Sequence, residues 1–102
     1  IDQKIISHLR SFKNDVVLID GVSIVVLFGS YSKGTYNRNS DIDIAVFVDF
    51  RVNKFDLFKY AQKLAMKHPY DIQVLIFNEE ELVDPIGIVE EIVNYGLDIT
   101  AL

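Results

Sequence analysis

The chain has 102 residues, half of them hydrophobic, a formal net charge of −5 and no cysteine. That length fits a single domain, residues 1–102, burying roughly two-thirds of its unfolded surface, and the lack of cysteine excludes disulfides and thiolate metal sites. The acidic balance argues against direct binding of long nucleic acid, which needs a basic face, and suits a protein that recruits cations or docks on a basic partner.

No apolar run approaches the length that spans a bilayer, and no signal peptide is visible, so a cytoplasmic location is expected. Five tyrosines and seven phenylalanines are many for so small a domain. They suggest a buried contact with a partner or with a second copy.

Ile5, Ile6, Leu9 and Phe12 recur at helical spacing, which predicts an amphipathic helix over residues 2–14. Val16 to Ile19 is an apolar run whose type the pattern leaves open. Gly21 punctuates the chain, and Val22 to Phe28 reads as a buried, β-branched strand. Gly29 ends it, and the stretch to Ser40 has loop chemistry with one helical turn at its start. Asp41 to Val48 is the second predicted strand.

Asn53 caps a helix that reaches Lys67, with an apolar stripe of Leu57, Phe58, Ala61, Leu64 and Ala65. Pro69 stops it, and Asp71 to Phe77 is the third strand. Asn78 caps a short turn over Glu79 to Val83. Asp84 and Pro85 read as the N-cap and first position of a last helix. Its buried face is Ile86, Val89, Ile92 and Val93, and Gly96 is its left-handed stop. Leu97 to Ala101 adds a short edge strand. His8 and His68 have no partner at ligand spacing and read as surface or cap residues. The order α-β-β-α-β-α gives an α/β (α+β) class, a small mixed β-sheet with helices packed on one face.

Side chains alternate between the two faces of a strand. Ile42, Ile44, Val46 and Val48 therefore share one face, while Asp41 and Asp43 share the other. In the third strand Ile72, Val74 and Ile76 oppose Asp71 and Gln73. If the β-branched sides pack on helices, Asp41, Asp43 and Asp71 converge on the open side. They repel one another there unless a cation sits between them, and such hard oxygen donors suit Mg²⁺ or Mn²⁺. Taken alone, each of these residues also fits an ordinary strand start.

Gly29-Ser30 follows a buried strand and opens a glycine-bearing loop. Glycine lets backbone N–H groups approach a phosphate without an intervening Cβ, and the Ser30 hydroxyl can donate to a phosphate oxygen. Lys33 and Arg38 on the same loop can neutralise further phosphate charge.

The stretch Leu27-Phe28-Gly29-Ser30-Tyr31-Ser32-Lys33-Gly34, followed by Ser40-Asp41-Ile42-Asp43-Ile44, resembles the signature of the polymerase-β-like nucleotidyltransferase superfamily. Its spacing in a short chain is most similar to minimal nucleotidyltransferases, known as antitoxins paired with HEPN-domain ribonuclease toxins.

The resemblance implies the nucleotidyltransferase fold, with ATP as substrate and AMP transferred to a hydroxyl on a HEPN-type partner. It implies that Gly29 and Ser30 hold the β- and γ-phosphates. Asp41 and Asp43 would ligate two metal ions, and Asp71 would be the third carboxylate, beside the attacking hydroxyl. Lys33 stands where the family usually has arginine, which keeps the charge and loses the bidentate fork. Ser32 and Tyr36 stand where the family often has alanine. Neutralising the partner by contact alone, or transferring a nucleotide to a small molecule, are the rival functions.

Overall fold

The computed structural model describes residues 1–102. The first helix, α1 (Gln3–Val17), begins where the Asp2 carboxylate accepts the Lys4 N–H at 2.7 Å, a side-chain cap on an otherwise orphaned donor. It outruns the predicted end by a turn. The apolar run from Val16 is its last turn and exit, with Val16 fully buried. Strand β1 (Val22–Phe28) follows, then the single turn α2 (Ser30–Lys33) and β2 (Ile42–Val48). Helix α3 (Lys54–Ala65) starts where the Asn53 side chain accepts the Asp56 N–H at 3.0 Å, as the sequence predicts. Strand β3 (Ile72–Asn78), a 3₁₀ turn over Glu79–Leu82, α4 (Gly87–Tyr95) and the two-residue β4 (Leu97–Asp98) complete the chain.

The sheet order is β3-β2-β1-β4. Strand β1 is antiparallel to both β2 and β4, and β2 runs parallel to β3. This is the mixed sheet expected. The register sets Asp43 opposite Phe28 on one side and Gln73 on the other. The end of β1 and the starts of β2 and β3 therefore share one end of the sheet.

One face buries Val25, Leu27, Ile42, Ile44, Val46, Val48, Ile72 and Val74 against α1 and α3, through Leu9, Phe12, Val16, Leu57, Ala61 and Leu64. These two helices lie together on one face, as the alternation predicts. The other face is covered in part by α4. Val26, Phe28, Ala45 and Phe47 pack with Val89 and Ile92. The polar side of β2 therefore ends at Asp43, because Ala45 and Phe47 next along it are fully buried.

Three local expectations fail around α4. The helix starts at Gly87, so Asp84 and Pro85 lie ahead of it rather than capping it. Only Val89 and Ile92 face the sheet, while Ile86 and Val93 are 75% and 48% exposed. Ile86 is the extended residue ahead of the first turn, with φ −133°, so the helical repeat that places Val89 and Ile92 on one face does not reach it. Gly96 is extended, with φ −74°, not left-handed. It is glycine for space: a Cβ there would press on the Ile92 carbonyl and lie 2.5 Å from Val26 Cγ1. Phe58, predicted on the buried stripe of α3, is 41% exposed.

His8 and His68 also depart from expectation. Their Nδ1 atoms meet at 2.7 Å, half-buried between α1 and the segment after α3, and the His8 ring lies edge-on to Tyr70 at 5.2 Å. Burial, and then the nearby His8, hold the His68 pKa below its usual value. The folded state thus favours neutral His68, whereas the unfolded chain takes up that proton near pH ~6.5. The contribution to stability is full above that pH and is lost as pH falls through the window below it. Thermal unfolding should show the melting temperature dropping between about pH 7.5 and pH 5.5, and His68→Phe should flatten that dependence. An unchanged slope in the variant would show that the pair carries no linked proton.

Candidate active site

Gly29 closes β1 with φ +73° and ψ −148°, a region that is essentially glycine's alone and costs a residue with a Cβ about 1–3 kcal/mol. The chain then turns straight into α2, where the Lys33 N–H and the Ser32 hydroxyl both donate to the Gly29 carbonyl, at 3.2 and 3.0 Å. Gly34, with φ +76°, ends the turn. Space as well as conformation demands glycine at position 29. A Cβ there would collide with the Asp43 carboxylate and lie 3.2 Å from its Cγ. The glycine turn and Asp43 are therefore in direct contact, and Ser30, half-buried, stands at the first position of α2.

Asp41 and Asp71 immediately precede β2 and β3. The Ile42 N–H donates to the Asp71 carbonyl at 2.8 Å, which ties the two strand starts together. A side-chain hydrogen bond with Asp71, reinforced by its charge, pushes the Asp41 pKa above the usual carboxylate value. Burial raises that of Asp43, with the charges of Asp41 and Asp71 adding to it. Gln73 donates to Asp71 Oδ1 at 2.7 Å. The three carboxylates thus come together.

No cation of the chain neutralises them. The ion pairs are Lys33–Glu91, Arg51–Asp20, Arg51–Asp49 and Lys59–Asp56. Hard anionic oxygens with unrelieved mutual repulsion fit a divalent cation such as Mg²⁺. They do not close around one point as a ready-made three-ligand cage.

Two expected phosphate ligands sit differently. Lys33 Nζ lies 2.5 Å from Glu91 Oε1 and 5.4 Å from the centre of the Tyr95 ring, so it clamps α2 to α4. Arg38 lines a cleft of about 400 Å³ together with Ile5, Tyr31, Asp41, Tyr70 and Asp71. Gly29, Ser30 and Asp43 are not among its walls. Tyr31 is buried and stacks on Tyr36 with ring centres 4.4 Å apart, the packing role of the two tyrosines. A second cleft of about 310 Å³, walled by Ile19, Arg51, Val52 and Tyr60, holds none of the carboxylates of the site.

Glu91 and Tyr70 escaped the sequence reading. Nothing in one dimension links Glu91 to Lys33, and Tyr70 is marked only by its place beside Asp71.

The family described as "Polymerase beta, Nucleotidyltransferase" matches residues 3–100. Among individual proteins, MJ0141 of Methanocaldococcus jannaschii, provisionally named a protein adenylyltransferase, is 29% identical over 101 residues, covering 94% of this chain and 99% of that one. The protein adenylyltransferase MntA of Shewanella oneidensis is 39% identical over 74 residues, 72% of this chain. The match spans about half of MntA, 49% of its length. A crystal structure of a toxin–antitoxin with AMP-PNP superposes with a TM-score of 0.64 at 30% identity, covering 90% of this chain and 69% of that one.

The contact between Gly29 and Asp43 makes a direct test. Gly29→Ala should cost about 1–3 kcal/mol in chemical denaturation, from the backbone conformation alone, and should also displace Asp43. Calorimetry should therefore show magnesium-dependent ATP binding weakened well beyond the effect of an equally destabilising core substitution. Equal effects from the two would reduce Gly29 to a turn residue.

Proposed function

The chain belongs to the polymerase beta nucleotidyltransferase family, and we propose that it transfers AMP from ATP to a hydroxyl on a protein partner, as the antitoxin of a toxin–antitoxin pair. The observation that carries this reading is the approach of Asp41, Asp43 and Asp71 to one another, with Asp43 against the backbone of Gly29. It is supported by the likeness to protein adenylyltransferases and to a toxin–antitoxin assembly with AMP-PNP. We propose a HEPN-type toxin as the partner. A transferred AMP would add bulk and negative charge where the toxin meets RNA.

Asp41, Asp43 and Asp71 would hold two Mg²⁺ or Mn²⁺ ions, which supply charge neutralisation for the triphosphate and for the leaving pyrophosphate. The rest falls to the chain itself. The backbone N–H groups of the turn that Gly29 opens and the Ser30 hydroxyl receive the β- and γ-phosphates. Asp71, with one oxygen fixed by Gln73, accepts the proton of the attacking hydroxyl. The new bond joins the acceptor oxygen to the α-phosphorus, the bond from that phosphorus to the bridging oxygen breaks, and pyrophosphate departs. Positioning and charge neutralisation contribute most of the acceleration.

Two experiments separate binding from transfer. Asp41→Asn combined with Asp43→Asn should leave the fold intact by circular dichroism and abolish magnesium-dependent ATP binding in calorimetry. Unchanged binding would remove these residues from the site.

Asp71→Asn should keep ATP binding while transfer falls about a hundredfold or more, the loss expected for a positioned base. Intact-mass spectrometry of a HEPN-type partner, incubated with ATP and Mg²⁺, reads the adduct. If wild type leaves no adduct while the Asp71→Asn chain still neutralises the partner, inhibition is by contact alone.

A further inference from the structure

The cleft beside Asp41 and Asp71 has a sidedness that the reaction requires. In-line displacement at the α-phosphorus needs the attacking oxygen and the leaving pyrophosphate on opposite sides. The triphosphate side is the turn of Gly29 and Ser30, which touches Asp43. The cleft of about 400 Å³ reaches α2 only through Tyr31; Gly29, Ser30 and Asp43 are not among its walls, and it opens on the other two carboxylates.

Its remaining walls are of two kinds. Ile5, Tyr31, Pro69 and Tyr70 supply apolar surface. Asp2, Asn39 and Ser40 are polar, and Arg38 is the single cation. Arg38 is exposed and forms none of the ion pairs of the chain.

We infer that this cleft is the acceptor subsite: it admits a hydroxyl-bearing side chain of the partner against Ile5, Pro69 and Tyr70, and Arg38 at its wall meets an acidic residue next to that side chain. The inference rests on the transfer reading given above and adds where the acceptor enters and what flanks it. The hydroxyl proton passes to Asp71, the oxygen bonds to the α-phosphorus, and pyrophosphate leaves on the Gly29 side. Arg38 is then a residue of acceptor choice. Arg38 is the one cation among three carboxylates (Asp2, Asp41 and Asp71), and hence the one wall residue that can attract an acidic side chain of the partner.

The test uses the full chain with ATP, Mg²⁺ and short peptides centred on serine or tyrosine and flanked by aspartates or by lysines. AMP adducts are read by mass spectrometry and ATP affinity by calorimetry. Wild type should modify aspartate-flanked peptides about two- to fivefold faster than lysine-flanked ones, the scale of one exposed ion pair, and Arg38→Ala should erase that preference.

Ile5→Trp and Asn39→Trp both fill the cleft. Asn39 is exposed, so its variant keeps the core if Ile5→Trp does not fold. Each should slow transfer to peptides about tenfold or more, because the added ring takes the space the acceptor needs, with ATP affinity unchanged.

If both tryptophan variants weaken ATP binding as much as transfer, the cleft holds the nucleoside and the inference fails. It fails equally if wild type binds ATP and releases pyrophosphate but modifies no peptide, or if flanking charge makes no difference. A wild-type chain that binds no ATP would instead overturn the transfer reading itself.

Discussion

Like charges are costly to bring near one another, and this sheet brings together three. Because β2 and β3 run parallel, their first residues lie side by side. The bond from the Ile42 N–H to the Asp71 carbonyl fixes how closely Asp41 and Asp71 approach. Asp43, two residues into β2, is held from the other side by the antiparallel return of β1 and by the missing side chain of Gly29. Most of the fold serves this one arrangement. The shared apolar face of the strands locks the register against α1 and α3, and a slip of one residue would turn every carboxylate toward the core.

The second face explains how a chain this small avoids leaving half its sheet wet. Helix α4 covers β1 and β2 through Val89 and Ile92, and Gly96 lets its end lie against Val26. The ion pair from Lys33 to Glu91 then joins α4 to α2, so the helix that closes the core also bears on the turn where the triphosphate would sit. Exposed pairs of this kind contribute little stability on their own. Its consequence is geometric, since it holds the Lys33 amine on the α4 side of α2.

Strands and helices with strong periodicity were legible from residue types alone. Ile42 to Val48 alternate with period two, and Ile5, Leu9 and Phe12 follow the helical repeat, so each element's buried side was fixed before any contact was known. Asn53 as a cap was equally local, because the side chain bonds to a backbone group three residues on. Around α4 the same reasoning misplaced the start and the stop. Asp84-Pro85 has the chemistry of a cap, but the approach of Gly96 to Val26, seventy residues away in sequence, sets where that helix lies.

By itself the sequence determined the alternation that segregates Asp41 and Asp43 from the β-branched core, the glycine turn that follows β1, and through them the family. These are properties of neighbouring residues, and local geometry transmits them directly. Only the tertiary structure decided that Asp71 comes beside Asp41, that Lys33 turns to Glu91, that His8 meets His68, and that Arg38 faces a cleft. Each of these depends on pairing and packing between segments far apart in the chain. Register and helix placement set such contacts, and both emerge only when the whole core closes.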